Sequence, residues 1–205
     1  MFNSAEVRWF RPGPVPEEVM KWFRSVHAGF LEQPARTDYY LALPGSPDMS
    51  IKFREEQLEF KQAYGEKGLN WTREKVSGRI AHWQKWSFPL QNEAGAMNSI
   101  AVYSESWKKV LKQRSIILFQ ASDSGLPQAT SASILPENGC GLEITRVELP
   151  EQKDIWWTLG LEAFGREDKL MDMLSLVAEL VFSLPGCPEL KLIESMSYPE
   201  WLAKM

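Results

Sequence analysis

Apolar and polar side chains alternate with a two-residue period along most of this chain, the signature of strands with one buried face. Residues 3–10 (NSAEVRWF) read as a first strand, ended by the breaker run Arg11-Pro12-Gly13-Pro14. Further strands are predicted at 36–43, 49–54, 58–63, 78–88, 112–120, 141–149 and 156–164. Glu55-Glu56-Gln57 turns the third into the fourth as a hairpin. Helical periodicity is confined to fewer places. A helix opens at Pro16 with Glu17 and Glu18 in its first turn and carries Val19, Met20, Phe23, Val26, His27, Phe30 and Leu31 on one side. Residues 166–183 have the clearest apolar stripe: Leu170, Met173, Leu174, Val177, Leu180 and Val181. Short helices are predicted around Ser104–Leu111 and Tyr198–Ala203.

The strands follow one another with short links and few strand–helix–strand alternations, which favours antiparallel pairing in an α+β chain. Residues two apart share a face, so Glu6 lies with Arg8, Lys52 with Arg54, Glu59 with Lys61, and Lys112 with Arg114. Arg79 and Lys85 share a face with Trp83, Glu143 with Thr145, and Glu162 with Thr158 and Gly160. The opposite faces carry Val7, Trp9, Ile51, Phe53, Leu58, Phe60, Ile80, Ile144, Leu159 and Leu161, which can receive the helices. The charged faces then meet either bulk water, as in a one-sided sheet, or a shared wet interior, as in a barrel.

Composition narrows the class without choosing between these. The chain has 205 residues, 44% hydrophobic and 24% charged, which suits one globular domain over residues 1–205. A net charge of −4 argues against a protein that coats nucleic acid, although a local basic pocket is compatible with it. Cys140 and Cys187 are too few for a disulfide framework and read as small buried hydrophobes. The N-terminal segment has no basic and apolar signal pattern and no stretch is long enough to span a bilayer, so the expected location is the cytoplasm, with no membrane partner. There is no phosphate-binding Gly-rich loop ending in Lys-Ser/Thr, no G-x-S-x-G, and no spaced Cys/His set for zinc. His27 and His82 both fall among apolar positions and read as structural, and Trp83-Gln84-Lys85-Trp86 reads as packing.

The charge distribution changes the picture more. The charged strand faces carry eight cations (Arg8, Lys52, Arg54, Lys61, Arg79, Lys85, Lys112, Arg114) against four acids, in a chain that is acidic overall. Like charges facing one another repel unless an anion lies among them. Arginine offers a fork that matches phosphate and lysine a compact charge, so the pattern points to a phosphate-rich ligand. Acids among the cations could hold a divalent metal through oxygen ligands.

The order of these segments resembles the CYTH, or triphosphate tunnel metalloenzyme, superfamily. Ser4-Ala5-Glu6-Val7-Arg8 is similar to its N-terminal Glu-x-Glu-x-Lys strand, with Ser4 in place of the first acid and Arg8 in place of lysine. Asp38-Tyr39-Tyr40, Ile51-Lys52-Phe53-Arg54, Leu58-Glu59-Phe60-Lys61, Lys112-Gln113-Arg114, Leu142-Glu143-Ile144, Gly160-Leu161-Glu162 and Ser197-Tyr198-Pro199-Glu200-Trp201-Leu202 resemble later family segments in the same order. The resemblance implies a closed or nearly closed antiparallel β-barrel, a tunnel of about eight strands with helices packed outside. It implies metal-dependent triphosphate hydrolysis with Mg²⁺ or Mn²⁺ held by Glu6, Glu143 and Glu162, and Glu6 and Glu162 as catalytic acids. Arg8, Lys52, Arg54, Lys61, Arg79, Lys85, Lys112 and Arg114 would then bind the triphosphate or nucleotide. Ser4, Gly160 and Thr145 stand where the family has or often has acids, so the basic wall is better preserved than the acidic one. Two alternatives follow: a non-catalytic anion-binding module of the same fold, and a lipocalin-like barrel in which Trp9, Phe53, Phe60 and Trp86 face inward around an apolar ligand.

Overall fold

In the computed structural model, which describes residues 2–90, 106–122, 125–130 and 136–205 and all of their side chains except those of 66–70, the alternating segments form one antiparallel sheet that closes on itself. The strands are β1 (Phe2–Pro12), β2 (Leu31–Glu32), β3 (Arg36–Leu41), β4 (Met49–Arg54), β5 (Gln57–Arg73), β6 (Val76–Pro89), β7 (Trp107–Ala121), β8 (Pro127–Thr130), β9 (Gly139–Leu149) and β10 (Asp154–Phe164). Eight of them pair in the ring β7-β3-β4-β5-β6-β1-β10-β9, and β9 pairs back onto β7 through Leu111↔Glu148 to Gln120↔Gly139. The short β2 and β8 lie beside β7 outside this ring. The class is therefore α+β with a closed antiparallel barrel, as the alternation implied.

Closure follows from the strand lengths. β5 and β7 run well beyond the segments expected from the sequence: β5 pairs with β4 through Gln57 to Gln62 and with β6 on to Arg73, and β7 pairs with β3 through Trp107 to Lys112 and with β9 from Leu111 to Gln120. The β4–β5 hairpin turns at Glu55 and Glu56, with φ of 47° and 63°. Positive φ at both central residues matches the right-handed twist of the flanking strands, at some strain for non-glycine residues.

The helices are α1 (Glu17–Val26), α2 (Leu170–Phe182) and α3 (Tyr198–Leu202). Val19, Trp22 and Phe23 of α1 and Leu170, Met173, Leu174, Val177 and Val181 of α2 pack on the outward faces of β1, β9 and β10, against Val7, Trp9, Leu142, Ile144, Leu159 and Leu161. Leu180, expected on the α2 stripe, is exposed. The α1 periodicity reaches Leu31 in sequence, but the helix stops at Val26 because Leu31 and Glu32 pair with Ile116 and Ser115. A helix expected at Ser104–Leu111 is corrected in part: Ser104 and Glu105 lie outside the described residues, and from Trp107 the chain is strand, held between β3 and β9. Tertiary pairing on both sides here overrides local propensity.

Helix α3 departs from the outside position expected for all helices. Its Trp201 is fully buried with Phe10, Tyr40, Val110, Val147 and Leu149, whose side chains have the inward parity of their strands. Ser197 accepts from Glu200 N and the Glu200 carboxylate accepts from Ser197 N, a capping box that fixes this short helix. An apolar layer thus fills one end of the barrel and supports the polar interior next to it. Among the described residues no helix is long and apolar enough to cross a membrane.

Candidate functional site

The inward positions above the apolar layer line a cavity of about 260 Å³. Seven of the eight cations expected from the sequence face it: Arg8, Lys52, Arg54, Lys61, Lys85, Lys112 and Arg114. Glu6, Glu143 and Glu162 line it as well. Arg79 is the exception. It has the same parity, but lines a second cavity of about 350 Å³, where it is paired with Glu200 at 3.7 Å. Trp9 is buried against the helices and Phe60 stacks on Trp86 away from the cavity, opposite to the inward placement that an apolar-ligand barrel needs.

The sequence pattern placed Glu59 and Thr145 on the charged faces, and both line the cavity, but it missed other partners. Arg36 joins the basic wall and Asp38 the acidic side, and Tyr40 and Tyr198 supply hydroxyls. Each has the inward parity of its strand or comes from the capping segment, but a lone residue on a mixed strand gave no signal of its own. With Arg36 in place of Arg79, eight cations face five carboxylates (Glu6, Asp38, Glu59, Glu143, Glu162), a formal excess of three positive charges.

The ion pairs form three groups. Asp38, with no exposure, holds Lys112 Nζ at 3.0 Å, Arg36 Nε at 3.3 Å and Lys52 Nζ at 3.9 Å. Glu59 accepts from Lys52 at 2.9 Å and Arg54 at 2.5 Å. Glu143 pairs with Arg8 and, at 2.9 Å, with Arg114. Glu6 pairs with Lys61, whose Nζ is 3.4 Å from Glu162. Lys85 is different: among the described residues it has no carboxylate within 4 Å, and its ammonium lies 5.2 Å from the Phe2 ring. Tyr198 reaches in from α3, stacked on Tyr40, with its ring 3.6 Å from Lys112 Nζ.

Burial dominates the protonation of these groups. It pushes Lys52 and Lys112 down to about 8, against the pull of the Asp38 charge. Burial also acts to raise Asp38 and Glu143. The ammonium groups of Lys112 and Lys52 nevertheless hold Asp38 well below the usual carboxylate range, and the guanidinium groups of Arg8 and Arg114 hold Glu143 low. Glu6 and Glu162 are directly opposite on β1 and β10. Burial and then the Glu162 charge raise the Glu6 carboxyl above its ordinary value. The Thr145 Oγ1 is buried, lines the cavity and has no hydrogen-bond partner among the described residues. Cys140 and Cys187 are free and buried, as expected for small hydrophobes.

The acids do not fit a metal centre in this arrangement. A hard divalent cation needs several oxygen ligands left open to it. Here Glu143 is occupied by two guanidinium groups, and Glu6 and Glu162 share one ammonium. Among the described residues no three Asp, Glu, His or Cys side chains group as ligands.

No known family model matches the chain, and no curated protein matches it. One solved structure with a similar chain is the "Structure of the Schizosaccharomyces pombe Mediator head module", at 9% identity over 91% of this chain and 96% of that chain, with a TM-score of 0.46. A likeness of that degree assigns neither family nor function.

Proposed function

We propose that the chain binds a small phosphate-rich anion in the basic cavity of its barrel, as a divergent member of the triphosphate tunnel group. One observation carries this reading: eight cations converge on one cavity in an acidic chain, exceeding the acids there by three. Keeping that many cations together costs stability unless an anion offsets the excess, and among the described residues Lys85 has no carboxylate and the Thr145 hydroxyl no hydrogen-bond partner, which leaves both to meet one. The ordered sequence motifs support the same ligand class independently of the geometry.

Turnover is not part of the proposal. Phosphoryl transfer in the tunnel group relies on a metal to neutralise charge and position the attacking group. The acids that would hold it here, Glu6, Glu143 and Glu162, are engaged by protein cations. Anion binding needs only the basic wall.

The test is a thermal-shift series with tripolyphosphate, ATP, pyrophosphate and sulfate. Ligand at ~100 times its dissociation constant adds roughly 2.7 kcal/mol of stability. For a chain of this length that is a rise of about 5–10 °C. Lys85→Met removes a cation that among the described residues holds no carboxylate, so it should leave the unliganded melting temperature unchanged or raise it, and lower affinity about 10-fold, in line with loss of one charged hydrogen bond. No rise with any of the four anions would refute the proposal.

A further inference from the structure

The acidic wall departs from the tunnel pattern at Ser4, Arg8 and Gly160, and two of these departures are one structural event. Arg8 and Gly160 are directly opposite on β1 and β10. A Cβ at residue 160 would stand 3.0 Å from Arg8 Cζ and 3.1 Å from its Nη1, so a side chain there crowds the guanidinium and requires it to shift. Arg8 uses that room to donate to Thr158 Oγ1 at 3.1 Å and to clasp Glu143. A lysine at position 8 has no fork with which to make both contacts. The absence of a side chain at 160 and the guanidinium at 8 therefore belong together: the space of one acid has been given to a cation. Ser4 completes the change, being wholly buried and donating to Glu6 at 3.2 Å in place of a further carboxylate.

The effect is that each of the three acids expected to hold a metal is paired with a protein cation. Arg8 and Arg114 take Glu143, and Lys61 bridges Glu6 and Glu162. A divalent ion entering among these groups would face two guanidinium groups and an ammonium at close range and would have to displace them.

We infer that the cavity takes its polyphosphate as the metal-free anion, with Arg8 and Lys61 doing through protein charge what a divalent cation does in the tunnel enzymes. This rests on the anion-binding reading above. Tripolyphosphate carries several negative charges at neutral pH, and the cavity offers it a net cationic surface; its complex with Mg²⁺ carries two fewer negative charges and is attracted to that surface less strongly. Divalent metal is then a competitor, because it withdraws the ligand into a complex the site binds less well.

Isothermal titration calorimetry of the full chain with tripolyphosphate, in EDTA and then with Mg²⁺ or Mn²⁺ in excess over ligand, decides it. Binding in EDTA that weakens about 10-fold or more in excess metal is the expected result. Unchanged or tighter binding in metal, or binding that needs metal, overturns the inference and leaves the anion site standing. An absence of binding under every condition removes the anion site and the inference together. The paired variant Arg8→Lys with Gly160→Glu tests the assigned cause: folded by circular dichroism, it should reverse the sign and bind tripolyphosphate more tightly with Mn²⁺ than in EDTA. If metal still weakens binding to that folded variant, Arg8 and Gly160 are not what turned the metal away.

Discussion

Replacing Asp38 by asparagine keeps the shape of the side chain and removes one buried charge, which isolates the electrostatics of the basic wall. Asp38 has no exposure and faces Lys112, Arg36 and Lys52 within 4 Å. Lys52 keeps Glu59 at 2.9 Å in the variant, but Lys112 keeps only the Tyr40 hydroxyl and the Tyr198 ring and loses its carboxylate. Removing one partner of a buried pair costs about 3–5 kcal/mol. At roughly 2–4 °C per kcal/mol, the Asp38→Asn protein should melt about 6–20 °C below the parent at pH 7. The pH dependence separates this from a packing defect. The Asp38 carboxyl is held below its ordinary value, so its contribution is present above about pH 4 and is lost as pH falls through the lower native value. Lys112 and Lys52, lowered to about 8, lose their charge above that pH, and the pair loses its attraction with it. The gap between the two proteins should therefore be widest between about pH 4 and 8 and narrow on either side. Thermal unfolding followed by circular dichroism at pH 3, 7 and 9 measures it. A gap under about 2 °C at pH 7, or one that is constant with pH, would refute a dry, charge-bound Asp38.

Three further changes probe other parts of the cavity. Thr145→Val replaces a buried hydroxyl that has no partner among the described residues with a methyl of like size, and is expected to raise the unfolding free energy from urea titration by about 1 kcal/mol while weakening tripolyphosphate binding; a loss of stability would show that the hydroxyl has a partner. Glu6 has a raised carboxyl, whose contribution to stability is present below the ordinary value of about 4.3 and is lost as pH rises through the higher native one, so Glu6→Gln should flatten the decline in urea midpoint above that pH, and parallel profiles for the two proteins would contradict it. Arg79→Ala removes a half-exposed cation from the second cavity, and should change tripolyphosphate affinity by less than about 3-fold in calorimetry, where a 10-fold loss would place Arg79 in the anion site after all.

Strand parity made much of the cavity legible in the sequence, because it is a local property. Lys52 and Arg54, or Lys112 and Arg114, must share a face whatever the strands around them do, and burial of their neighbours Phe53 and Ile117 fixes which face. Parity does not say which cavity a side chain reaches, and there the sequence misled: Arg79 has the inward parity but lines the second cavity, beside Glu200. The same limit hid Asp38. Its role as the anchor of three cations depends on β3 lying between β4 and β7, a pairing that brings Lys52 and Lys112 to it from residues far apart in sequence. Boundaries failed where long-range pairing overrode local propensity, at the end of α1 and at the start of β7.

Helix α3 shows why the cavity depends on a segment that contributes few charges. Trp201 lies against Phe10 at 5.0 Å and Tyr198 against Tyr40 at 5.7 Å, so the C-terminal turn fills the barrel end with rings. Without that layer, water would reach Lys112 and Asp38 from below. The higher dielectric would weaken their attraction and relieve the burial that lowers the lysine. Trp201→Ala removes the largest ring of the plug and should cost about 3–5 kcal/mol through the cavity it leaves. If α3 keeps the cluster dry, the same change also moves the Lys112 titration upward from about 8 toward its ordinary value, as read by the pH dependence of amine labelling with peptide mapping. A Trp201→Ala protein that loses stability while Lys112 labels with an unchanged pH profile would mean that the barrel wall alone excludes water, and that α3 is only a packing element.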